Sequence, residues 1–171
     1  NLINIMREVA PDEVYNLANE ANGNIRTLGV ALSPCILPEA GKPTFEIKDD
    51  EIEIGMGIHG EPGIKREKLK PADDLVDDLY KIIIEDSKLK SNDIISIMIN
   101  SLGATPLEEL YIVSKKFNEN LVNSKIINIK TYVGRYATSM EMAGMSITTI
   151  KLNKNLEKYL FAASVCPFWN N

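Results

Sequence analysis

Hydrophobic side chains recur along the chain with two periods, one typical of helices and one typical of strands. Apolar residues three and four positions apart predict amphipathic helices at residues 11–22, at residues 71–86, from residue 105 onwards and at residues 156–162. Alternating or continuous apolar runs predict strands at residues 27–32, 94–100, 126–133 and 146–152. Because helices and strands interleave along the chain, the pattern predicts an α/β domain with a mixed β-sheet flanked by helices.

A β-hairpin is predicted within residues 45–54. Phe45 and Ile47 alternate with polar or charged neighbours, and Ile52 and Ile54 do the same further along. Two consecutive aspartates at positions 49 and 50 favour a turn between these two runs. We expect one face of this hairpin to be solvated.

The residues after the predicted strand 94–100 combine a helix start with a loop. Thr105, Pro106 and Glu108 match a capping box. In such a box the threonine hydroxyl accepts from the Glu108 amide, and the Glu108 carboxylate accepts from the Thr105 amide. The loop 100–105 also follows the carboxyl end of a buried strand, where open α/β sheets often bind ligands. We favour the cap and turn over a site wall. Ser101 is not predicted to be a hydrolase nucleophile, because no G-x-S-x-G pattern surrounds it.

Composition and charge exclude several classes of protein. The 171 residues are 44% hydrophobic and 25% charged, which is typical of one folded domain. The net charge is −5 and no dense basic run exists, so nucleic acid is not expected as a direct partner. No apolar run reaches the roughly 18 residues of a membrane span, so we predict no membrane segment. The segment 1–11 lacks a Met start, so we expect the chain to begin within a longer protein.

Metal and nucleotide sites are not predicted in this chain. Cys35 and Cys166 lack C-x-x-C spacing and the chain has a single histidine, which excludes a structural zinc site. The cysteine usage favours a reduced cytoplasmic protein with two buried thiols. Four aspartates between residues 73 and 78 are interpreted as a solvated helix face. No G-x-x-x-x-G-K-[ST] segment is present, so ATP, if it is used, binds elsewhere.

One segment concentrates glycine, proline and the only histidine. Residues 55–63 read G-M-G-I-H-G-E-P-G, which places four glycines in nine positions. Such crowding indicates unusual backbone torsions or close approach of a ligand. Gly55, Gly57 and Gly60 also match the dinucleotide fingerprint G-x-G-x-x-G. We reject that match because Pro62 argues against the helix that the fingerprint requires.

His59 is the candidate functional residue of this segment. A neutral imidazole nitrogen can act as a base or as a nucleophile toward an electrophilic carbon, and a carboxylate partner would fix its tautomer. Glu61, two residues further on, is the nearest such carboxylate in the sequence. The alternative is that His59 merely tolerates an unusual turn and that Glu61 caps it. The residues alone leave both interpretations open.

Four stretches of this chain together resemble the substrate-binding K subunit of dihydroxyacetone kinases. They read T-L-G-V-A-L-S-P-C at 27–35, D-E-I-E-I-G-M-G-I-H-G-E-P-G at 50–63, N-S-L-G-A-T-P at 100–106 and S-M-E-M-A-G at 139–144. The resemblance runs over essentially all 171 residues and covers the C-terminal half of the family. It implies a single domain over residues 1–171, the C-terminal domain of a two-domain subunit.

The resemblance also implies a covalent chemistry. In the family, the histidine of the G-I-H-G-E-P-G motif attacks the ketone carbon of dihydroxyacetone and holds it as a hemiaminal, and the matching residue here is His59. Gly57, Gly60 and Glu61 are implied as further substrate-binding residues. The captured ketone is then phosphorylated to dihydroxyacetone phosphate.

The phosphoryl donor is implied to lie outside this chain. Nucleotide and magnesium are expected on a nucleotide-binding L subunit or fused domain, which is recharged by the phosphoenolpyruvate phosphotransferase system or uses ATP. A cytoplasmic homodimer is also implied. Because the family's N-terminal half is absent, we expect the fragment alone to be inactive. Two alternatives remain, namely a dihydroxyacetone-sensing paralogue that acts as a transcriptional coactivator without kinase activity, and a structural module that binds nothing.

Overall fold

The computed structural model describes residues 10–36, 38–39, 41–58, 62–167 and 169–170. Four helices are described: α1 (Pro11–Asn24), α2 (Ala72–Ser87), α3 (Leu107–Asn123) and α4 (Lys154–Leu160). The strands are β1 (Ile25–Ala31), β2 (Glu51–Ile54), β3 (Lys65–Lys68), β4 (Ile94–Ser101), β5 (Ile127–Gly134), β6 (Gly144–Lys151), β7 (Val165–Cys166) and β8 (Trp169–Asn170). Apart from the hairpin and the cap, the predicted helices and strands lie within two residues of their predicted bounds, whereas the short strands β7 and β8 were not predicted.

Six of the strands form one mixed sheet in the order β3-β2-β1-β6-β4-β5. Strands β4 and β5 run parallel and are joined by α3, whereas the other neighbouring strands of this sheet are antiparallel. The β4-α3-β5 unit therefore supplies the parallel part of the sheet, because a parallel pair needs a crossover connection. The predicted α/β fold with a mixed sheet and flanking helices is confirmed.

The main hydrophobic core lies between one face of the sheet and the helices α2 and α3. Alternate residues of the central strands point into it, as Val30, Ile97 and Ile147 illustrate. Leu79 of α2 and Phe117 of α3 are fully buried against them. The 3.6-residue apolar period of these helices is thus explained by one face packed on the sheet.

The second face of the sheet carries two smaller clusters, one toward each end of β1. Leu17 of α1, Leu152 and Leu156 form one cluster beside the start of β1. The other cluster lies at the carboxyl end of β1 and consists of Ala31, Cys35, Met56, Leu102 and Met142. We call this second group the loop-floor cluster. Met56 belongs to the glycine-rich segment 55–63, and the other members of the cluster pack against it from below.

The predicted hairpin within residues 45–54 is wrong. Strand β2 pairs with β3, and residues 44–48 are not strand. Cys35 instead accepts the Thr44 amide through its carbonyl, and Phe45 packs partly buried against the loop-floor cluster. Strand β3 escaped prediction because its sequence, Lys-Arg-Glu-Lys, contains no hydrophobic residue. Charged side chains of this kind are typical of a sheet edge that must not pair with another chain.

The predicted capping box at α3 is also wrong. Pro106 is the N-cap residue of α3, and no side chain caps the helix. The Thr105 hydroxyl is buried and accepts the Gly144 amide at 2.8 Å, so it is not available to its own helix. The Thr105 hydroxyl therefore makes a tertiary hydrogen bond to Gly144 in place of the local bond that the capping box requires.

The two cysteines are both free thiols, as predicted, but they differ in exposure. Cys35 is buried, whereas Cys166 in β7 is exposed, which corrects the prediction of two buried thiols. Among the described residues, no helix combines the length and the apolar character needed to cross a bilayer.

Candidate functional site

The glycine-rich segment 55–63 connects β2 to β3 within a hairpin. Residues 55–58 and 62–63 of it are described, whereas the predicted site residues His59, Gly60 and Glu61 lie outside the described residues. Gly57, the remaining predicted site residue, is partly exposed. A strand rather than a helix follows the segment, which agrees with the rejection of the dinucleotide fingerprint.

The segment enters the second face of the sheet directly over Gly29 of β1. The Gly55 amide donates to the Gly29 carbonyl at 2.7 Å, and Gly55 has a φ of +85°, a torsion that favours glycine. A Cβ atom on Gly29 would lie only 2.5 Å from the Met56 carbonyl oxygen. Glycine at position 29 is therefore what allows the backbone at Met56 to cross the strand so closely.

Behind this crossing, the loop-floor cluster supports the segment. Met56 is 4% exposed and packs with Leu102 and Met142, while Ile58 packs partly buried against the same cluster. The entry half of the segment thus has an apolar floor. Methionines suit such a floor, because their flexible side chains fill irregular gaps.

The exit of the segment is held by hydrogen bonds to β2. The Gly63 amide donates to Glu53 Oε1 at 2.9 Å, and the Ile64 amide donates to the Ile54 carbonyl at 2.8 Å. A Cβ atom on Gly63 would lie 2.5 Å from the Ile54 oxygen and 2.6 Å from Glu53 Cγ. Only glycine fits at position 63, so the last residue of the segment is also held against the strand that leads into it.

Glu53 is a buried carboxylate with three donors. Its Oε2 accepts from Arg66 Nε at 3.1 Å and from Arg66 Nη2 at 2.6 Å, in addition to the Gly63 bond on Oε1. Burial raises the pKa of Glu53, but hydrogen bonds from Arg66 and from the Gly63 amide outweigh it, so the net pKa is lowered. The carboxylate is therefore the stable form in this site. Sequence reasoning missed Glu53, because it placed this residue on a solvated hairpin face.

Two further loops interlock beside the loop-floor cluster. Gly103 has a φ of +151° and no room for a Cβ, which would lie 2.0 Å from the Met140 carbonyl oxygen. The Ala104 amide donates to the Met142 carbonyl, and the Leu102 amide to the Gly144 carbonyl. Residues 100–105 and 139–144, two of the stretches that carry the family resemblance, are thus brought together to build the floor of the segment.

The Ser101 side chain forms hydrogen bonds within the loop 100–105. It is fully buried, its hydroxyl donates to the Thr105 carbonyl at 2.7 Å, and it accepts the Gly103 amide at 3.2 Å. These bonds favour the turn interpretation of the loop over the site-wall interpretation.

The acidic helix face on α2 is partly engaged in ion pairs. Asp77 contacts Lys116 of α3 at 3.0 Å, and Asp78 contacts Lys70 at 2.6 Å. Both aspartate side chains remain about 40% exposed, so the interpretation as a solvated face holds, with ion pairs to lysine added to it. Within the described ranges, no group of three or more His, Cys, Asp or Glu side chains is arranged to hold a metal ion.

The fold and the segment together define a mixed α/β domain whose glycine-rich hairpin connection crosses one sheet face. The Dak1 domain family matches residues 7–168, and the chain belongs to this family. It is 48% identical over 141 residues to the "PTS-dependent dihydroxyacetone kinase 1, dihydroxyacetone-binding subunit DhaK" of Listeria innocua. That alignment covers 82% of this chain and 43% of the relative, so the chain spans less than half of the relative's length.

Two solved structures share the fold over most of the chain. The native dihydroxyacetone kinase of C. freundii superimposes with a TM-score of 0.79 at 28% identity, over 96% of this chain and 30% of that one. The "Dihydroxyacetone kinase operon co-activator Dha-DhaQ" superimposes with a TM-score of 0.84 at 30% identity, over 91% of this chain and 48% of that one. The resemblance stated from the sequence is confirmed at the level of family and fold.

Proposed function

We propose that this chain is the histidine-bearing domain of a dihydroxyacetone kinase substrate-binding subunit. In this proposal His59 captures dihydroxyacetone as a covalent hemiaminal, and a partner then phosphorylates it to dihydroxyacetone phosphate. The observation that carries the proposal is the segment 55–63, which is fixed at its entry by Gly29 and at its exit by Glu53. The 48% identity to a dihydroxyacetone-binding subunit supports the same substrate.

Formation of the covalent adduct conserves atoms and charge and needs no cofactor. The lone pair of a neutral imidazole nitrogen of His59 forms the C–N bond to the ketone carbon, and the carbonyl π pair moves to oxygen. That oxygen takes up one proton, and the other ring nitrogen of His59 releases one, so the adduct is neutral. Gly57, Gly60 and Glu61 are proposed to line the adduct.

Covalent capture selects the substrate by the electrophilicity of its carbon. A short ketone accepts a nitrogen nucleophile, whereas the alcohol carbons of glycerol do not. The proposed site therefore discriminates between two molecules of similar size and polarity. Hydrogen bonding alone would separate them much less well, because both offer hydroxyl groups.

Phosphoryl transfer is assigned to a partner of this chain. Nucleotide and magnesium are proposed to be carried by a nucleotide-binding L subunit or fused domain, consistent with the lack of a P-loop sequence here. The name of the Listeria relative supports the phosphotransferase system as the phosphoryl source. A homodimer in the cytoplasm completes the proposal.

A second candidate is a dihydroxyacetone-sensing coactivator of transcription. The observation that favours it is the TM-score of 0.84 to the co-activator structure, above the 0.79 to the kinase structure. Both candidates share the covalent histidine and differ in phosphoryl transfer. The kinase is our first proposal, because the curated relative at 48% identity is a kinase subunit.

The test is a carbon NMR titration with dihydroxyacetone labelled at its ketone carbon. It uses the 171-residue chain and, in parallel, the chain fused to the preceding half of the Listeria relative. A tetrahedral carbon signal in the wild type that His59→Ala abolishes supports covalent capture. A folded fusion protein without that signal refutes it.

The same fusion protein separates kinase from sensor. With the partner subunit and its phosphoryl source added, formation of dihydroxyacetone phosphate supports the kinase. Capture without any product supports the sensor.

A further inference from the structure

Glu53 occupies a position that connects three parts of the hairpin. It lies on β2, it accepts the amide of Gly63 at the end of the glycine-rich segment, and it binds Arg66 on β3 through both Nε and Nη2. Its exposure is 8%, and hydrogen bonds occupy both of its oxygens. We call this group, formed by Glu53, Arg66 and Gly63, the exit clamp.

The exit clamp limits how the segment can move. The nine residues 55–63 begin at a hydrogen bond from Gly55 to β1 and end at the Gly63 bond to Glu53. Gly63 has no free space, because a Cβ there would meet both Glu53 Cγ and the Ile54 oxygen closer than 3 Å. Displacing the Glu53 side chain therefore frees the Gly63 amide, while the entry at Gly55 and the Ile64 hydrogen bond to β2 stay in place.

We propose that Glu53 is a positioning residue, which holds the exit of the glycine-rich segment in place so that His59 meets the ketone in a productive geometry. This inference rests on the proposed function. Glu53 acts through the segment and not on the substrate. Arg66 is its necessary partner, since it supplies two of the three donors that orient the carboxylate.

An amide cannot replace the carboxylate at this position. In Glu53→Gln one oxygen becomes an NH₂ donor, and whichever way the amide turns, that donor faces either the Arg66 guanidinium or the Gly63 amide. The two charge-assisted bonds to Arg66 are then weakened or lost. A misplacement of about 1 Å at a reacting group can cost about 100-fold, so we expect at least about tenfold weaker ketone capture.

Glu51→Gln is the matched control. Glu51 lies two residues earlier on β2, on the same side of the strand, and its contacts are with Lys48 at 3.6 Å and Lys68 at 3.9 Å. This change removes the same charge from the same strand and leaves the three hydrogen bonds of the exit clamp in place. Capture by this variant is expected to stay within about twofold of the wild type, because the lysine partners of Glu51 are exposed and both ion pairs are long.

The experiment measures two quantities in the fusion protein described above. It is carried out without denaturant, and circular dichroism first establishes that each variant is folded. One is the dissociation constant for labelled dihydroxyacetone from the tetrahedral carbon signal, and the other is the hydrogen-exchange rate of the Gly63 amide. Glu53→Gln should weaken capture and accelerate Gly63 exchange, and Arg66→Gln should do the same. Because Arg66 is half-exposed, this second variant should fold even if the first does not.

Unchanged capture in a folded Glu53→Gln or Arg66→Gln protein overturns the positioning role, even if its unfolding midpoint has fallen. A wild type that captures no ketone refutes the proposed function instead. In that case Gly63 exchange still decides on the exit clamp: faster exchange in Glu53→Gln and Arg66→Gln but not in Glu51→Gln supports it, and equal exchange in all variants overturns it.

Discussion

The crossing of Met56 over Gly29 predicts the effect of adding a single methyl group. In Gly29→Ala the new Cβ would lie 2.5 Å from the Met56 carbonyl oxygen, about 1 Å short of ordinary contact. The backbone fixes the position of the Cβ atom, and the oxygen belongs to the main chain, so no side-chain rotation relieves the clash. The backbone at residues 55–58 must move away from β1 instead.

The cost of this movement can be worked out from the contact. Overpacking costs about 1–3 kcal/mol, and a main-chain clash belongs to the upper part of that range. Replacing glycine by alanine within a strand returns about 0.5–1 kcal/mol. We therefore expect a net loss of about 2 kcal/mol, which lowers the melting temperature by about 4–8 °C in a domain of this size.

Gly23→Ala is the control for this prediction. Gly23 lies in α1, and a Cβ there meets nothing within 4 Å. The same substitution should thus stabilise the protein by up to about 1 kcal/mol, because it reduces the entropy of the unfolded chain. Thermal unfolding followed by far-ultraviolet circular dichroism measures both variants. If Gly29→Ala raises the melting temperature as Gly23→Ala does, the backbone does not cross β1 at this point.

Three further predictions follow from single contacts. Thr105→Val should cost about 1–3 kcal/mol in urea unfolding, because the buried Gly144 amide loses its acceptor; a neutral effect would contradict that bond. A thiol reagent should modify Cys166 rapidly and Cys35 only after unfolding, whereas two equal rates would contradict the burial of Cys35. The folded pKa of Glu53 is lowered, so its stabilising contribution is present above its unfolded pKa of about 4.3 and is lost as the pH falls through the folded value. Glu53→Gln should therefore flatten that part of the acid-unfolding curve, and an unchanged curve would argue against the exit clamp.

Much of the fold follows from apolar periodicity, because burial on one face creates it. The β4 run from Ile94 is nearly continuous because this strand lies inside the sheet, and α2 has a clear apolar stripe because one face packs on that sheet. Strand β3 lies at the sheet edge and makes its contacts through charges, so the same signal is absent from it. Missing β3 led directly to the wrong hairpin.

The candidate site was located by its glycines, but the residue that holds it was missed. Crowded glycines mark close backbone approach, and Gly55 and Gly63 do lie against neighbouring strands. Glu53 looked like a solvated residue because alternation alone cannot tell which carboxylate has a buried partner. Its partner Arg66 lies on β3, so a correct pairing of β2 with β3 was the signal needed. The capping-box prediction for Thr105 was wrong for a similar reason, since the hydroxyl accepts from Gly144, which is 39 residues away in the sequence.

The position of β6 in the sheet has a consequence for synthesis. This strand lies between β1 and β4, although both precede it in the chain. On the ribosome, β1 and β4 therefore each expose an unpaired edge until residues 144–151 have emerged, and only then can the two parts of the sheet join. Closure of this sheet is a late, long-range event, and a nascent chain that stops before residue 151 carries exposed strand edges for a chaperone to recognise.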